Sequence, residues 1–252
     1  MMSNSEIILK ARSLSKRFGG LKAVDDVSFE VTRLGVTSII GPNGAGKSTL
    51  FNLLSGTFMA DSGLVELDGQ NVTRMSPEGR LSSGMARSFQ ITNLFFDLTV
   101  IENLRIASQA LEPHSNLFFP LSKSTVAIDR ANELLTEFGL LESRNQLAGA
   151  LSHGQQRRLE IAVTLATRPK LLLLDEPTQG MSQGDTQDTA ELIKRLGSKI
   201  TVLLIEHDVD LVMDLSKIVI VMAQGKKLAE GIPSEVRANP LVQTAYFGEE
   251  LA

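Results

Sequence analysis

Cysteine is absent from the 252 residues, which excludes disulfides, thiolate nucleophiles and sulfur-ligated metals and leaves oxygen donors for any metal. No apolar run approaches the ~18 residues needed to span a bilayer, so the chain is not expected to cross a membrane alone. Met1 to Glu6 are polar, with neither the basic start nor the apolar core of an export signal, and the cytosol is the expected location. A basic excess is missing too. Lys and Arg number 25 against 29 Asp and Glu, and the net charge of −4 argues against a broad nucleic-acid surface, leaving room only for a small basic patch. With 42% hydrophobic residues the chain has material for a sizeable core, in one large domain or two closely joined ones.

What is present is Gly41-Pro42-Asn43-Gly44-Ala45-Gly46-Lys47-Ser48-Thr49, in which two glycines spaced for a phosphate loop precede Lys-Ser. Glycines let the backbone close around a polyphosphate with its N–H groups inward, Lys47 reaches β- and γ-phosphates, and the Ser48 hydroxyl is placed for Mg²⁺. Val36 to Ile40 is a short apolar run, and Ser48 to Leu54 has helical spacing. The loop therefore lies where a strand feeds a helix N-terminus, a context that a chance glycine turn lacks.

Ile7 to Ala11 and Val27 to Val31 alternate as strands on either side of Lys16-Arg17-Phe18-Gly19-Gly20. Leu64-Val65-Glu66-Leu67 followed by Asp68-Gly69 is a hairpin signal, and together these predict an antiparallel sheet. Phe18 has two readings here, core packing or stacking on a base. From Gln90 to about Ala150 strand signals fade. Val100 to Ala107 and Ala127 to Phe138 have helical spacing, with Pro113 and Pro120 bracketing Leu117-Phe118-Phe119, and predict a helical insertion. Leu94-Phe95-Phe96 at its entrance reads equally as a core cluster or a docking surface.

Leu151-Ser152-His153-Gly154-Gln155 opens a helix with the apolar stripe Leu159, Ala162, Val163 and Ala166. Ser152 and Gln155 have the spacing of a capping box, while a Ser cap with Gly154 at an open helix N-terminus also makes an anion site. Leu171 to Leu174 followed by Asp175-Glu176 predicts a central parallel strand with function at its C-terminal edge. In P-loop ATPases the first such acid helps to hold Mg²⁺ and a following one polarises the attacking water; the plain alternative is a pair of solvated turn acids. Thr201 to Ile205 repeats the strand pattern and delivers Glu206-His207 to the same edge. There His207 either makes a local hydrogen bond or reaches a γ-phosphate and its attacking water. Ile218 to Met222 and Lys227 to Ala229 form the last strand pair, and Pro233 to Gly248 is a helical tail with no appended domain expected.

In this order the motifs resemble the ATP-binding cassette (ABC) family over essentially the whole chain. A P-loop alone fits kinases, GTPases and helicases. A P-loop, a later Gln, an LSxGQ element, a four-leucine Asp-Glu strand and a following His resemble ABC ATPases far more narrowly. Ala86-Arg87-Ser88-Phe89-Gln90, the Leu94 to Leu104 segment and Ala245-Tyr246-Phe247-Gly248 resemble the ATPase subunits of branched-chain amino-acid importers, the LivG-like group. The fold this implies is α/β: a P-loop NTPase core with a mainly parallel sheet, an antiparallel β subdomain and a helical insertion. It implies a single ABC ATPase domain over 1–252, with 1–90 and 166–252 forming the nucleotide-binding core and β subdomain and about 91–165 the helical subdomain.

The resemblance also implies roles. Phe18 would stack on adenine, and Gly41, Pro42, Asn43, Gly44, Ala45, Gly46, Lys47, Ser48 and Thr49 would bind the phosphates of ATP. Ser48, Gln90 and Asp175 would contact Mg²⁺ directly or through water. Glu176 would be the general base, with His207, Lys47 and Gln90 completing the catalytic set. Ser152, Gly154 and Gln155 would serve the nucleotide of an opposite cassette arranged head to tail. Three positions depart from the family pattern: His153 replaces a glycine of the common LSGGQ form, Ser182 stands where many members carry the D-loop Asp, and Phe18 stands for a frequent Tyr.

The function implied is the ATP-hydrolysing subunit of a membrane transporter, an importer of branched-chain or related amino acids. Its partners would be a second ABC ATPase subunit, identical or related, transmembrane permease subunits and, indirectly, a solute-binding protein. It would sit peripherally on the inner face of the cell membrane and bind no nucleic acid. Two alternatives share the ATPase motifs. One is the ATPase of a lipid or polysaccharide exporter. The other is a soluble ABC protein acting on ribosomes or nucleic acid, against which the single cassette, the lack of heptads and the negative charge count.

Overall fold

The N-terminal strands are longer than their alternation predicts: β1 (Ile7–Phe18) and β2 (Leu21–Thr32) are joined by Gly19 and Gly20 alone. Their antiparallel pairing shifts register around Leu14. Ser13 (φ 48°) and Asp26 (φ 54°) sit at the shifts, and each donates its N–H to a serine hydroxyl, Ser28 Oγ at 2.7 Å and Ser15 Oγ at 3.0 Å. Such bulges twist a strand and reset the face a side chain takes, which breaks the period-two pattern in the sequence.

β3 (Gly35–Ile40) feeds α1 (Lys47–Ser55), and β4 (Ser62–Leu67) turns at Asp68-Gly69 into β5 (Gln70–Asn71). Both turn residues have positive φ, 51° and 78°, as a two-residue type I′ hairpin requires. Next come α2 (Pro77–Ser82), β6 (Met85–Arg87), α3 (Val100–Ser108), α4 (Thr125–Glu137) and α5 (His153–Leu165). β7 (Leu171–Asp175), α6 (Gln183–Gly197), β8 (Thr201–Ile205) and α7 (Val209–Leu215) follow. β9 (Ile218–Ala223), β10 (Lys226–Gly231), α8 (Pro233–Ala238) and α9 (Pro240–Phe247) end the order. The computed structural model describes residues 6–88, 94–111 and 125–247. Phe89, Gln90, Pro113, Leu117, Phe118, Phe119, Pro120 and Gly248 therefore lie outside the described residues.

The chain divides into two compact units, 1–87 with 170–176 and 193–252, and 88–169 with 177–192. The first unit holds both sheets. One is antiparallel in the order β2-β1-β4-β5; the other runs β10-β9-β3-β8-β7-β6 and is parallel except at β10. Leu50, Phe51, Leu53 and Leu54 of α1 share one buried cluster with Ile8, Leu14 and Phe29 of the antiparallel sheet and Leu173, Leu203 and Ile220 of the parallel one. Each such side chain contributes about 1.5–3 kcal/mol when buried, so α1 is fixed from both sides. On the opposite face Ile40, Val219 and Val221 pack with Val212, Val236 and Val242 of α7, α8 and α9.

In the second unit α3 packs against α4 and α5. Ile161 and Leu165 are buried beside the expected Leu159, Ala162 and Ala166, whereas Val163 is half-buried. Asn103 accepts the Phe95 N–H at 2.8 Å and donates to the Phe95 carbonyl at 3.1 Å, pinning the segment before α3. Leu94 is buried there, but Phe95 and Phe96 are 56% and 43% exposed, so the triplet divides between core and surface.

The C-terminus of α1 rests on an unusual cap. Arg80 is 1% exposed and donates to the Leu53 and Leu54 carbonyls and, at 2.8 Å, to that of Thr73. Burial draws its guanidinium down to about 10, so the charge persists at neutral pH and faces the negative end of the helix. Arg80→Met should remove the guanidinium donor from all three carbonyls, leaving the Leu53 carbonyl only the long 3.4 Å bond from the Gly56 N–H, and lower stability by about 3 kcal/mol, read as a shift in the denaturant midpoint at unchanged slope.

Candidate active site

Parallel register builds the site. Ile39 pairs with Ile205 and Asp175 pairs with Ile205 from the other side, so β3, β8 and β7 end together. The residues that leave these strands, Gly41, Glu206-His207 and Glu176, emerge from one edge, where peptide dipoles and loop freedom favour a binding site.

The loop between β3 and α1 needs its glycines. A Cβ on Gly41 would lie 2.2 Å from the Met222 carbonyl oxygen, and one on Gly46, at φ +95°, 2.2 Å from that of Ala23. The loop is thus held down by β9 and β2 backbone on one side. Gly46 gives α1 no side-chain cap, whereas Ser76, Thr99, Ser152 and Asp208 cap α2, α3, α5 and α7. The first N–H groups of α1 thus meet no side-chain cap, and a helix start of this kind, with its dipole, favours an anion. Lys47 is buried and donates Nζ to the carbonyls of Gly41 at 2.7 Å and Pro42 at 3.0 Å. Burial draws its ammonium below the usual lysine range, and the charges of Glu176 and Asp175 oppose that shift.

At the end of β7, Asp175 is buried and Glu176 turns into the left-handed region at φ 46°, held by a 2.9 Å bond from its N–H to the Ile205 carbonyl. A non-glycine residue in that region carries strain of about 1–3 kcal/mol, and such strain clusters at functional positions. It brings Glu176 Oε1 to 2.5 Å from His207 Nε2. The Glu176 side chain is 9% exposed and that of His207 46%, so a nearly enclosed carboxylate meets an imidazole open to solvent. The Glu176 carboxylate is thus not a freely solvated turn acid, while the hydrogen-bonding reading of His207 stands beside the catalytic one.

In the second unit the predicted capping box is formed: Ser152 Oγ accepts from Gln155 N at 3.3 Å and Ser152 N donates to Gln155 Oε1 at 3.1 Å. Gln155 Nε2 also donates to Ser143 Oγ at 3.3 Å, so its amide is engaged in holding the helix start. Gly154 is buried, and a Cβ there would lie 2.5 Å from Asp185 Oδ1. Ser182 donates to Asp185 Oδ2 at 2.6 Å and accepts from Asp185 N at 3.3 Å, so the unexpected serine starts α6.

A family model described as ABC transporter matches residues 24–179. The chain belongs to the ABC transporter family. A second model, described as branched-chain amino acid ATP-binding cassette transporter, matches residues 226–252. Among relatives, the high-affinity branched-chain amino acid transport ATP-binding protein BraF of Pseudomonas aeruginosa is 43% identical, covering 97% of this chain and 99% of its own. The corresponding protein LivG of Escherichia coli is 42% identical with the same coverage. A crystal structure of an ABC transporter cassette in its ADP conformation is 35% identical and superposes with a TM-score of 0.86, covering 96% of this chain and 99% of that one. The mixed sheets and helices are accordingly those of an ABC ATPase, and ATPase activity is expected of it.

Against this ABC ATPase frame, Phe18 at the end of β1 is 45% exposed, which removes the core-packing reading. Its ring meets the edge of Phe58 at 5.5 Å between centroids, and Lys16 Nζ lies 5.7 Å from its centre. One residue of the site gave no sequence signal as a site residue: Arg87, at the end of β6, donates Nη2 to Asp175 Oδ2 at 2.9 Å. Only the strand order, with β6 beside β7, brings the two together. Gly46→Ala would force a Cβ against the Ala23 carbonyl in a strained backbone. We expect at least a tenfold loss of affinity for a fluorescent ATP analogue, the order of one strained residue of ~1–3 kcal/mol, together with a lowered melting temperature.

Proposed function

We propose that this chain is the ATP-hydrolysing subunit of an importer of branched-chain or related amino acids, the whole of 1–252 acting as one cassette. The observation that carries the ATPase assignment is the contact of Glu176 with His207, 2.5 Å apart at the strand edge that also carries the P-loop. The importer assignment is supported by the BraF and LivG likeness along nearly the whole chain and by the C-terminal match over 226–252, which favours it over a lipid or polysaccharide exporter.

In this reading Gly41 to Thr49 cradle the phosphates with backbone N–H groups, and Lys47 exchanges its two carbonyl partners for phosphate oxygens. Among the described residues no three His, Cys, Asp or Glu side chains cluster as a metal site. On the family likeness Mg²⁺ would be held by the Ser48 hydroxyl, Asp175 and the phosphates, with Gln90 as a further contact, direct or through water. It would supply neutralisation of the negative charge on the phosphates. Glu176 takes the proton of the attacking water as its oxygen bonds to the γ-phosphorus and ADP departs. His207 orients Glu176 and, being open to solvent, meets the γ-phosphate. Charge that develops on the transferring group is met by Lys47, His207 and the N-terminus of α1, because phosphoryl transfer depends on positioning and electrostatics.

Phe18 stacks on adenine with its exposed face. Ser152 and Gly154 serve the nucleotide of a second cassette, identical or related, with Gln155 closing the cap that holds Ser152. The exposed Phe95 and Phe96 form the surface offered to transmembrane permease subunits, through which a solute-binding protein acts indirectly. Among the described residues no helix is long and apolar enough to cross a membrane. Attachment to the inner face of the membrane then rests on those permease contacts.

Glu176→Gln keeps the shape and removes the base. Steady-state turnover should fall by about 10²–10⁴-fold, with an ATP-bound dimer accumulating; unchanged turnover would remove Glu176 from this role. Purified with Mg·ATP from detergent-solubilised membranes, the same variant should bring down permease subunits and a second cassette, identified by mass. Recovery of ribosomal or DNA-associated chains alone would overturn the transport reading and leave the ATPase site standing.

A further inference from the structure

Arg87 makes more contacts with the nucleotide-binding apparatus than a strand-edge cation needs. It is the last residue of β6, and its register partner on β7 is Leu173, two positions before Asp175. From there its guanidinium is held at both ends. Nη2 donates to Asp175 Oδ2 at 2.9 Å, and Nη1 donates to Asn52 Oδ1 at 2.6 Å and Ser55 Oγ at 2.9 Å. Its central carbon lies 5.3 Å from the centroid of the Phe51 ring. Phe51, Asn52 and Ser55 lie on one face of α1, the helix that the P-loop opens. The Asp175 side chain is 1% exposed and that of Arg87 14%, so neither partner is free to swing.

A carboxylate is planar, so fixing one oxygen and the carbon it hangs from fixes the direction of the other. A guanidinium is a rigid planar fork, and gripping it at Asn52 and Ser55 transmits the position of α1 to Asp175. Side chains that hydrogen-bond a metal-binding carboxylate from behind orient it in this way. We propose that Arg87 is a positioning residue for the metal site: it aims the Asp175 carboxylate and ties that aim to the helix that carries the P-loop. The inference rests on the reading of Asp175 as a metal-binding acid. Lysine cannot replace Arg87, because a single ammonium cannot span Asp175 and the Asn52–Ser55 pair at once.

Mn²⁺ is the probe, with free ion counted by electron paramagnetic resonance in the presence of the full-length protein and saturating ADP. Arg87→Lys should weaken Mn²⁺ binding about tenfold, the usual size of a loss behind a metal ligand. Asn52→Ala, which removes one of the two α1 holds on the Arg87 guanidinium without altering Arg87 or Asp175 themselves, should weaken it about threefold, the size of one hydrogen bond. In the double variant Asn52→Ala should add no further loss, because its effect passes through Arg87. ADP affinity measured in EDTA should stay at the parent value throughout.

The proposal is overturned if Arg87→Lys binds Mn²⁺ like the parent. It is overturned equally if metal-free ADP affinity falls in step, or if the two losses multiply in the double variant, since a merely structural ion pair predicts those results. Asn52→Ala carries the test should Arg87→Lys fail to fold. Asp175→Asn separates the two levels. If it leaves Mn²⁺ binding intact, the metal-site reading fails with it. If it abolishes binding while Arg87→Lys does not weaken it, only the role of Arg87 is lost.

Discussion

The site depends first on the parallel alignment of β3, β8 and β7. These three strands are buried on both faces, and the hydroxyls of Ser38 and Thr201 within them are engaged by Ser216 and the Leu34 N–H, so charged chemistry falls where the strands leave the sheet. Their register places those exits side by side, with Ile39, Ile205 and Asp175 in one row. A slip of one residue in any of them would carry Glu176 or His207 away from the P-loop and would move every side chain of that strand to the opposite buried face. The burial of every leucine in β7 thus sets the precision of the acids that follow it.

Precision at the edge is then sharpened by strain. Glu176 occupies the left-handed region, which an ordinary side chain avoids, and it is held there by the Ile205 carbonyl on one side and His207 on the other. A rigid sheet can support such a residue because the surrounding packing over-determines its backbone. α1 supplies the second rigid body. It is wedged between two sheets by its leucines and Phe51, capped at its end by the buried Arg80, and left without a side-chain cap at its start.

How much of this could be read in advance follows the range of each interaction. The P-loop, the Asp68-Gly69 turn and the Ser152–Gln155 box are written in residues that touch their near neighbours in sequence, and all were legible. The full length of β1 and β2 was not, because bulges at Ser13 and Asp26 break the alternation that marks a strand. The triplet Leu94-Phe95-Phe96 was ambiguous because the backbone just after Leu94 is set by Asn103, eight positions along, whose side chain binds the Phe95 N–H and the Phe95 and Thr99 carbonyls. Phe18 could not be placed from composition, since exposure depends on where β1 ends. Arg87 was beyond reach as a site residue: its partners lie 35 and 88 positions away, and only the neighbourhood of β6, β7 and α1 joins them.

The two helix starts that the proposed reading assigns to nucleotide are unequal, and the inequality has a direction. α1 begins with N–H groups that no side chain caps, whereas the first turn of α5 already gives Gln155 N to Ser152 Oγ, and Gln155 in turn holds the Ser152 N–H. An anion at α1 therefore gains several unpaired donors, a lysine and a dipole. One at α5 gains a serine hydroxyl that must be shared with the cap and a smaller set of remaining donors. A single chain on this reading holds its nucleotide chiefly through α1, and the weaker α5 contribution matters only once a phosphate has been fixed elsewhere. On the same reading sandwiching would follow loading, because the α5 start would have nothing to bind until the nucleotide-loaded α1 of an opposite cassette presented it.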